Sequence, residues 1–373
     1  MIDYKEIRKS LHEHPQTAGC EEYAHDTIVK HLQGLHPTKV YTHVGGYGVI
    51  AVWNKHSNSS LCQGDGDRRE AVGEEYIAFR ADTDALPIGH RCGHDGHTTI
   101  LLRLAELVDG DERGVMTSRN ILLIWQPAEE TGTGSRAVLE SGILQQYNIK
   151  AFFALHNLPG YPLGTVVLCP RTFAAASTGV VYHLDGRETH ASTPELGINP
   201  GLAVAEIINR FYGFNRRDGE FRQSTLICVR VGALAFGTSA GHGEVMFTLR
   251  AFSNDEMEKL LAEANQAVNE IAARYGLTVS CSLVEPFRAT ENNGDCVEAI
   301  EKAAEEVPLR VRYQMEPNRW SEDFAEYLLE FPGAMFGIGS GEHHPELHHP
   351  SYNFPDELIE PAAQLFLKLL KTT

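Results

Sequence analysis

The sequence predicts an α/β fold in two parts, a mostly parallel sheet covered by helices and a smaller inserted α+β domain. At 373 residues the chain exceeds the length at which a single core usually divides. Apolar, strand-like runs alternate with helical stretches through its first half, and from about residue 177 the order becomes strand, helix, strand, strand, helix, strand. We therefore expect residues 1–175 and 288–373 to form the first domain and residues 176–287 a split βαβ, ferredoxin-like insert.

The elements of the first domain follow from the spacing of apolar residues. Helical spacing from about Ile2 to Gly34 predicts a helix that ends near the glycine. Tyr47–Trp53 and Tyr76–Phe79 predict two strands, and the polar, glycine-containing stretch between them predicts a hairpin loop. Ile121–Gln126 and Ala151–His156 are further strands separated by helical stretches, which is typical of a parallel sheet.

The insert has its own succession of elements. A strand (TGVVYHLDG) leads to a helix (PGLAVAEIINRF), two long strands (STLICVRVGAL and EVMFTLRAF), a second helix and a last strand (LTVSCSLVE). After Pro286 we expect the chain to return to the first domain, which closes with a strand at Phe336–Gly339 and an amphipathic helix.

Composition excludes some partners. Lys and Arg number 32 against 50 Asp and Glu, a formal net charge of -18, whereas nucleic acid and anionic lipid need basic surfaces. We see neither a signal-like apolar run at the N-terminus nor a stretch long enough to span a bilayer. The seven cysteines are scattered and lack CxxC spacing. A cytoplasmic protein in a reducing compartment is the expectation.

Polar clusters follow the predicted strands, where the sites of parallel sheets lie. The first cluster joins Arg80–Pro87 to Cys92–His97. Cysteine thiolate and imidazole are favoured ligands of zinc-like ions, and a carboxylate such as Asp84 commonly holds a ligand histidine in one tautomer. A loop histidine without metal is the alternative interpretation.

The second cluster is Gln126–Glu130, with two adjacent carboxylates at a strand end. Glu129 and Glu130 can point to different tasks, one toward a metal and the other toward a reacting water. Metal-assisted hydrolysis needs that pairing, because a carboxylate near the ion accepts and later returns a proton. A solvated acidic pair is the alternative.

Two histidine clusters complete the set. His156 ends a strand, and His343–His349 contains four histidines in seven positions. A strand-end histidine is commonly a core or rim residue, and a histidine-rich loop can be accidental. Jointly, the four clusters offer the Cys, His and Glu ligands that a dinuclear metal site requires.

These motifs together resemble a known family, and the match runs nearly end to end. They are IRKSLHEHP, FRADTDALPI, CGHDGHTTILL, WQPAEETGTGS, FALHNLPG, GRETHASTP, SEDFAEYL and LHHPSYNFPDE. The chain is similar to the aminoacylase/carboxypeptidase superfamily of dinuclear metallopeptidases. It is most similar to the branch of N-acyl-amino-acid amidohydrolases, hippurate hydrolases, N-acetyldiaminopimelate deacetylases and auxin-conjugate hydrolases.

The resemblance implies a role for each matching residue. Two divalent ions, zinc, manganese or cobalt, would be held by Cys92, His94, Glu130, His156 and His348, with the cysteine thiolate bridging them. Glu129 matches the general base, and Asp84 matches an aspartate that supports the ligands. His190 matches a histidine that polarises the scissile carbonyl from the partner subunit, and Arg250 matches an arginine near the substrate.

The chain departs from the family pattern at two stretches. Only Gly89, His90 and Arg91 separate ALPI from CGHD, where relatives have a longer loop with an acidic residue and a Met-His pair. Residues 236–242 (FGTSAGH) replace an Asn-Val-Ile-Pro-Asp run whose asparagine often helps to hold the substrate. Both departures concern the choice of substrate rather than the metal ligands, all of which are present.

We therefore expect a metal-dependent amidohydrolase that cleaves the amide bond of N-acyl amino acids or related small conjugates. We expect a homodimer formed through the insert, which would act as lid and dimerisation domain beside the metal-binding catalytic domain. A dipeptidase or aminopeptidase-like exopeptidase is one alternative. A non-catalytic metal- or ligand-binding protein on the same fold is an alternative of another class.

Overall fold

The computed structural model describes residues 2–54, 74–110, 119–217 and 220–372. The chain forms two compact units. The first comprises Met1–Phe173, Thr290–Glu316 and Asp323–Thr373, and the second Ala174–Ala289 and Pro317–Glu322. The units divide within two residues of the expected boundaries. The segment Pro317–Glu322, which the sequence analysis placed in the first domain, belongs to the second unit.

The elements alternate between helix and strand along most of the chain. The helices are α1 (Tyr4–Glu13), α2 (Glu22–Leu32), α3 (His94–Asp109), α4 (Gly134–Glu140), α5 (Gly201–Tyr212), α6 (Asn254–Tyr275), α7 (Gly294–Glu305) and α8 (Ile359–Thr372). The strands are β1 (Lys39–Val44), β2 (Gly48–Trp53), β3 (Glu75–Asp82), β4 (Asn120–Gln126), β5 (Asn148–Pro159), β6 (Val166–Leu168), β7 (Ala176–Asp185), β8 (Thr189–His190), β9 (Arg222–Val231), β10 (Thr238–Ser239), β11 (His242–Ala251), β12 (Thr278–Phe287), β13 (Val311–Tyr313) and β14 (Gly333–Gly341).

The first unit is built on a sheet of eight described strands in the order β1-β2-β4-β3-β5-β14-β6-β13. Its central pairs, β4 with β3, β3 with β5 and β5 with β14, are parallel. Every residue of β4 is buried, as expected for a parallel strand covered on both faces. The predicted α/β class is confirmed, and the carboxyl ends of β3, β4 and β5 meet at one edge of the sheet.

Two expectations for the N-terminal region are wrong. The predicted single helix is two helices, α1 and α2, because Pro15 cannot continue a helix and Gly19 takes a left-handed φ of 82°. The predicted β2–β3 hairpin is also absent from the described strand pairs, since β2 pairs with β1 and β4 while β3 pairs with β4 and β5. The loop proposed for that hairpin, residues 57–74, lies outside the described residues except for its last residue.

The second unit contains the predicted βαββαβ order. Its four long strands form an antiparallel sheet in the order β12-β7-β11-β9. Residues of β7 and β11 alternate between buried and half-buried, and the buried ones pack with α5 and α6 in an apolar cluster. The side chain of Ser253 caps the start of α6, and Gly276, with φ of 68°, ends it.

No helix in the described ranges is at once long and apolar enough to cross a lipid bilayer.

Candidate metal centre

The metal-ligand candidates of the first unit stand where its strands end. Cys92 and His94 flank Gly93, which precedes α3 with a left-handed φ of 101°. A Cβ atom at this glycine would lie 2.4 Å from Asn157 Oδ1, so only glycine fits between the two motifs. His156 lies in β5, whose neighbour β3 leads into the Cys92 loop. The glycine of the Cys92 loop and the parallel pairing of β3 with β5 thus place the cysteine and two histidines at one sheet edge.

Cys92 is common to two groups of potential ligands. Its Sγ atom lies 3.6 Å from His156 Nε2, and both side chains are buried. The ligand atoms of Cys92, His94 and His156 lie within 4.8 Å of one another, and so do those of Cys92, Glu130 and His348. A thiolate shared by two ligand sets is the arrangement that a bridging ligand requires.

The carboxylates approach the same histidines. His94 Nε2 lies 3.8 Å from Glu129 Oε2 and 3.9 Å from Glu130 Oε1, and His348 Nε2 lies 3.9 Å from Glu130 Oε1. His348 takes a left-handed φ of 65°, and its backbone N–H donates to the carbonyl of Arg91 at 2.8 Å. The short loop before Cys92 therefore helps to hold the last ligand candidate in place.

The donor set fits a metal. His94 Nε2 and Glu130 Oε1 are buried atoms that make no hydrogen bond to any described residue. Buried polar atoms are normally satisfied, and leaving them so is costly. The other nitrogen of His94 donates to the Asp84 carbonyl at 3.0 Å, and that of His156 donates to the Asn157 carbonyl at 2.9 Å. With these nitrogens donating, each ring in its neutral form keeps its lone pair on Nε2, as in metal-binding histidines.

Without a metal ion, the side chains of Cys92 and Glu130 hold protons that a bound cation would displace. Burial raises the pKa of the Cys92 thiol well above its ordinary value, and the negative charge of Glu130 raises it further. Burial also raises the pKa of Glu130 to about 7. Burial lowers the pKa of His156 well below its usual range, so that ring is neutral. Metal ligands must be deprotonated to bind. A divalent ion would therefore lower the pKa of Cys92 and of Glu130, and it would bind His156 in the neutral form that the ring already has.

Asp84 contacts both the turn of Glu129 and Glu130 and a ligand candidate, His94. Its two carboxylate oxygens accept the backbone N–H groups of Glu129 at 3.1 Å and Glu130 at 3.0 Å. Its Oδ1 also lies 3.5 Å from His94 Nδ1. Asp84 is completely buried, so these contacts fix the backbone positions from which the side chains of Glu129 and Glu130 extend.

The structure adds four residues that sequence reasoning missed, Asp82, His97, Asn157 and Tyr352. His97 Nδ1 lies 2.6 Å from Asp82 Oδ1, and its Nε2 lies 2.5 Å from Asn157 Oδ1. The Asn157 amide donates in turn to the Tyr352 hydroxyl. Each residue lies inside or beside a motif already singled out, and that adjacency was the available signal.

Arg80 is hydrogen-bonded to this network through Asp82. Its guanidinium donates to Asp82 Oδ2 at 2.6 Å and to Asp323 Oδ1 at 2.8 Å, and all three side chains are buried. Arg80, His94 and His97 hold the pKa of Asp82 well below its usual range against the opposing effect of burial. Asp82 is therefore a permanent negative charge 3.8 Å from His94 Nε2.

His190 and Arg250 belong to the second unit. His190 is exposed in the short strand β8, and its Nδ1 lies 2.7 Å from Ser192 Oγ. Arg250 in β11 donates to the Arg319 carbonyl at 2.7 Å and to Ser321 Oγ at 3.1 Å. The structure brings the other seven predicted site residues together, and the roles of all nine stay predictions.

In the second unit, a group of ligand-type side chains lies at His183, His242 and Glu244. His183 Nδ1 pairs with Glu244 Oε1 at 3.1 Å, and His242 Nδ1 pairs with Asp185 Oδ1 at 2.7 Å. Both histidines are thus paired with carboxylates at a partly exposed surface, in contrast to the unmatched atoms of the Cys92 cluster.

Comparison with known proteins agrees with this geometry. The model of Peptidase family M20/M25/M40 matches residues 78–372. An N-acetylcysteine deacetylase of Bacillus subtilis is 28% identical over 97% of this chain and 94% of its own length. A hippurate hydrolase of Campylobacter jejuni is 27% identical over 98% of this chain and 95% of its own.

Solved structures share the fold over the whole chain. A putative aminohydrolase of methicillin-resistant Staphylococcus aureus superposes with a TM-score of 0.88 at 22% identity, covering 99% of this chain and 96% of its own. A Bacillus subtilis protein described as a dinuclear metal binding peptidase from the M20 family gives 0.81 at 25% identity, covering 98% and 96%.

Proposed function

The chain belongs to Peptidase family M20/M25/M40, and we propose that it hydrolyses the amide bond of N-acyl amino acids. Relatives similar to it over nearly their full length include an N-acetylcysteine deacetylase, an N-acetyldiaminopimelate deacetylase and a hippurate hydrolase. The observation that carries the proposal is the joint cluster of Cys92, His94, Glu130, His156 and His348 beside Glu129.

We assign two divalent ions to this cluster, with Cys92 as the shared ligand. Its mixture of sulfur, nitrogen and oxygen donors suits zinc, manganese or cobalt. Bound there, the ions would supply Lewis acidity that polarises the scissile carbonyl and acidifies the attacking water. The five side chains would hold the ions, and the backbone carbonyls of Asp84 and Asn157 favour the tautomer of two of the histidines that leaves Nε2 available.

Glu129 is the proposed general base. Its Oε2 lies 3.8 Å from His94 Nε2, so the carboxylate faces the cluster, and the side chain is nearly buried. We propose that Glu129 removes the proton of the water that attacks the carbonyl and then delivers it to the leaving amine. Glu130, the adjacent residue, serves as a ligand instead.

We propose that two copies of the chain assemble through the second unit and that His190 of one copy polarises the carbonyl in the other, with Arg250 near the substrate. The resemblance supports the role of these two residues. The surface of β9 supports the assembly. It is an edge strand of its sheet and exposes four large apolar side chains, Leu226, Ile227, Val229 and Val231. An exposed apolar edge with unpaired backbone groups favours pairing with another strand.

We place the protein in the cytoplasm. The six cysteines within the described residues are free thiols, three of them buried. Free thiols are typical of a reducing compartment.

The test is a substrate panel with metal-reconstituted protein. N-acetyl and N-benzoyl amino acids are compared with unblocked dipeptides under the same metal. Hydrolysis of the N-acyl series, lost when a chelator removes the metal, supports the proposal. Faster cleavage of dipeptides would make the protein an exopeptidase, and tight binding without turnover would make it a binding protein.

A further inference from the structure

The turn that carries Glu129 and Glu130 begins with an unfavourable backbone conformation. Ala128 has a φ of 55°, in the left-handed region that residues with a Cβ atom avoid. Local sequence does not favour this conformation, since alanine offers no side-chain hydrogen bond to stabilise it. Something outside the turn must hold it there.

Two buried carboxylates accept hydrogen bonds from three successive backbone N–H groups of this turn. Ala128 N–H donates to Glu21 Oε1 at 2.9 Å. The next two N–H groups, of Glu129 and Glu130, donate to the two oxygens of Asp84. Consecutive N–H groups in a turn with one left-handed residue form a concave anion-binding site. Here the anions are side chains supplied by distant parts of the chain.

Glu21 is well placed for this task and for little else. It precedes α2, and its side chain does not cap that helix. It is completely buried, and its Oε1 also accepts the N–H of Gly19 at 2.9 Å. No described residue satisfies its second oxygen, Oε2. A buried carboxylate with one unsatisfied oxygen is costly for folding, which points to a functional reason for its presence.

We propose that Glu21 is a positioning residue that holds Ala128 in its left-handed conformation, so that Glu129 faces the reacting groups and Glu130 faces the metal. The inference rests on the proposed role of Glu129. Glu21 acts through the backbone, because its Oε1 accepts the N–H groups of Gly19 and Ala128. Asp84 holds the next two N–H groups and also contacts His94, so it cannot be changed without disturbing a ligand.

The main test is a double-mutant cycle between Glu21 and Ala128. In metal-loaded enzyme, Glu21→Ala should lower kcat by roughly 10–100-fold with little change in KM, since a displacement of about 1 Å costs that much. Ala128→Gly should remain close to wild type. The double variant should recover most of the lost rate, because glycine adopts a positive φ without a steric penalty.

Two further variants separate positioning from stability. Glu21→Gln keeps an acceptor oxygen for Ala128 N–H and should retain kcat within a few-fold. Asp109→Ala is the matched control, because Asp109 also accepts a backbone N–H, that of His36 at 2.7 Å, but lies at the far end of α3 from His94. This control should lower the melting temperature, keep kcat and gain nothing from Ala128→Gly.

Amide hydrogen exchange supplies a readout without turnover. In metal-free protein, Glu21→Ala should speed exchange in the segment 126–134 by about tenfold or more, and Glu21→Gln and Asp109→Ala should not. If Glu21→Ala does not fold, Glu21→Asp replaces it, since the shorter side chain withdraws the oxygen from Ala128 by roughly 1.5 Å.

The outcomes are distinct. Unchanged kcat and unchanged exchange in Glu21→Ala would overturn the inference. So would a loss of kcat that persists both in the double variant with Ala128→Gly and in Glu21→Gln. Failure of the proposed function would appear as a wild-type enzyme without amide hydrolysis, or as Glu129→Gln with normal kcat. The exchange experiment still decides the role of Glu21 in either case.

Discussion

In the first unit, Cys92, His94 and His156 are buried side by side, and a buried nitrogen of His94 makes no hydrogen bond within the described structure. In the second unit, Arg222 and Glu256 are a buried charged pair whose side chains hydrogen-bond directly, and Glu263 accepts a second bond from the arginine at 2.8 Å. Its remaining interior is largely apolar.

The difference separates two uses of buried polar groups. In the second unit, Arg222 meets the opposite charges of Glu256 and Glu263, and this cluster serves folding. In the first, unmatched donors and acceptors converge on one place, at a cost to stability that only a ligand offsets. Changes in the two regions should therefore affect different observables, metal and rate in one and unfolding free energy in the other.

The largest effect should come from Cys92→Ala. Because the thiolate belongs to both ligand groups, its loss should remove metal from both positions and abolish measurable turnover. Elemental analysis of reconstituted protein should fall from about two ions per chain to below one. Cys20→Ala, a change at an exposed free thiol of the same unit, is the control and should keep both ions. Unchanged metal content in Cys92→Ala would remove the cysteine from the site.

Glu129→Gln should separate chemistry from metal binding. The amide keeps the shape of the side chain and loses its basicity, so kcat should fall by roughly 10²–10⁴ while metal content and substrate binding persist. The measurements are steady-state kinetics with elemental analysis of the same samples. Near-normal kcat would place proton transfer elsewhere.

His190 of one copy of the chain should act in the metal centre of the other copy. Inactive His190→Ala and Glu129→Gln chains, mixed under conditions of subunit exchange, form hybrid dimers with one complete site if His190 acts in the partner. Activity should then return to about a quarter of wild type, since half of the dimers are hybrids with one working site. No recovery despite proven exchange would place His190 in its own chain's site or outside catalysis.

A core change in the second unit should act on stability alone. Phe211 is fully buried and stacks on Phe247 at a centroid distance of 4.2 Å. Phe211→Ala should lower the free energy of unfolding by about 3–5 kcal/mol, measured by denaturant titration, without changing metal content. Glu258→Ala, at an exposed position of α6, should change it by less than about 0.5 kcal/mol. Metal loss in Phe211→Ala would contradict the prediction that the core of the second unit affects stability without affecting metal binding.

The smallest effect should come from a helix cap. Ser253 accepts the N–H of Glu256 at 3.2 Å, so Ser253→Ala should cost about 1 kcal/mol of unfolding free energy. Ser282→Ala, at an exposed position of β12, should cost little. Equal values for the two serines would mean that the cap does not stabilise α6.

The sequence determined the elements with strong local patterns and the motifs whose residues are neighbours in the chain. Apolar periodicity located the strands around residues 121–126 and 151–156 and the βαββαβ order of the second unit, because burial of one face imposes that spacing. Cys92 with His94 and Glu129 with Glu130 were visible as pairs, since two residues in one loop need no tertiary information to be near each other.

Tertiary structure decided what depends on residues far apart. Pairing of β2 with β4 rather than β3, the 3.6 Å approach of Cys92 to His156, and the grip of Glu21 on Ala128 each join segments separated by many residues. Local propensity carries no information about such contacts, because they form only when the whole sheet is ordered and the loss of chain entropy is offset by burial. The left-handed Ala128 shows this most directly, since its own sequence opposes a conformation that a buried carboxylate 107 residues away enforces.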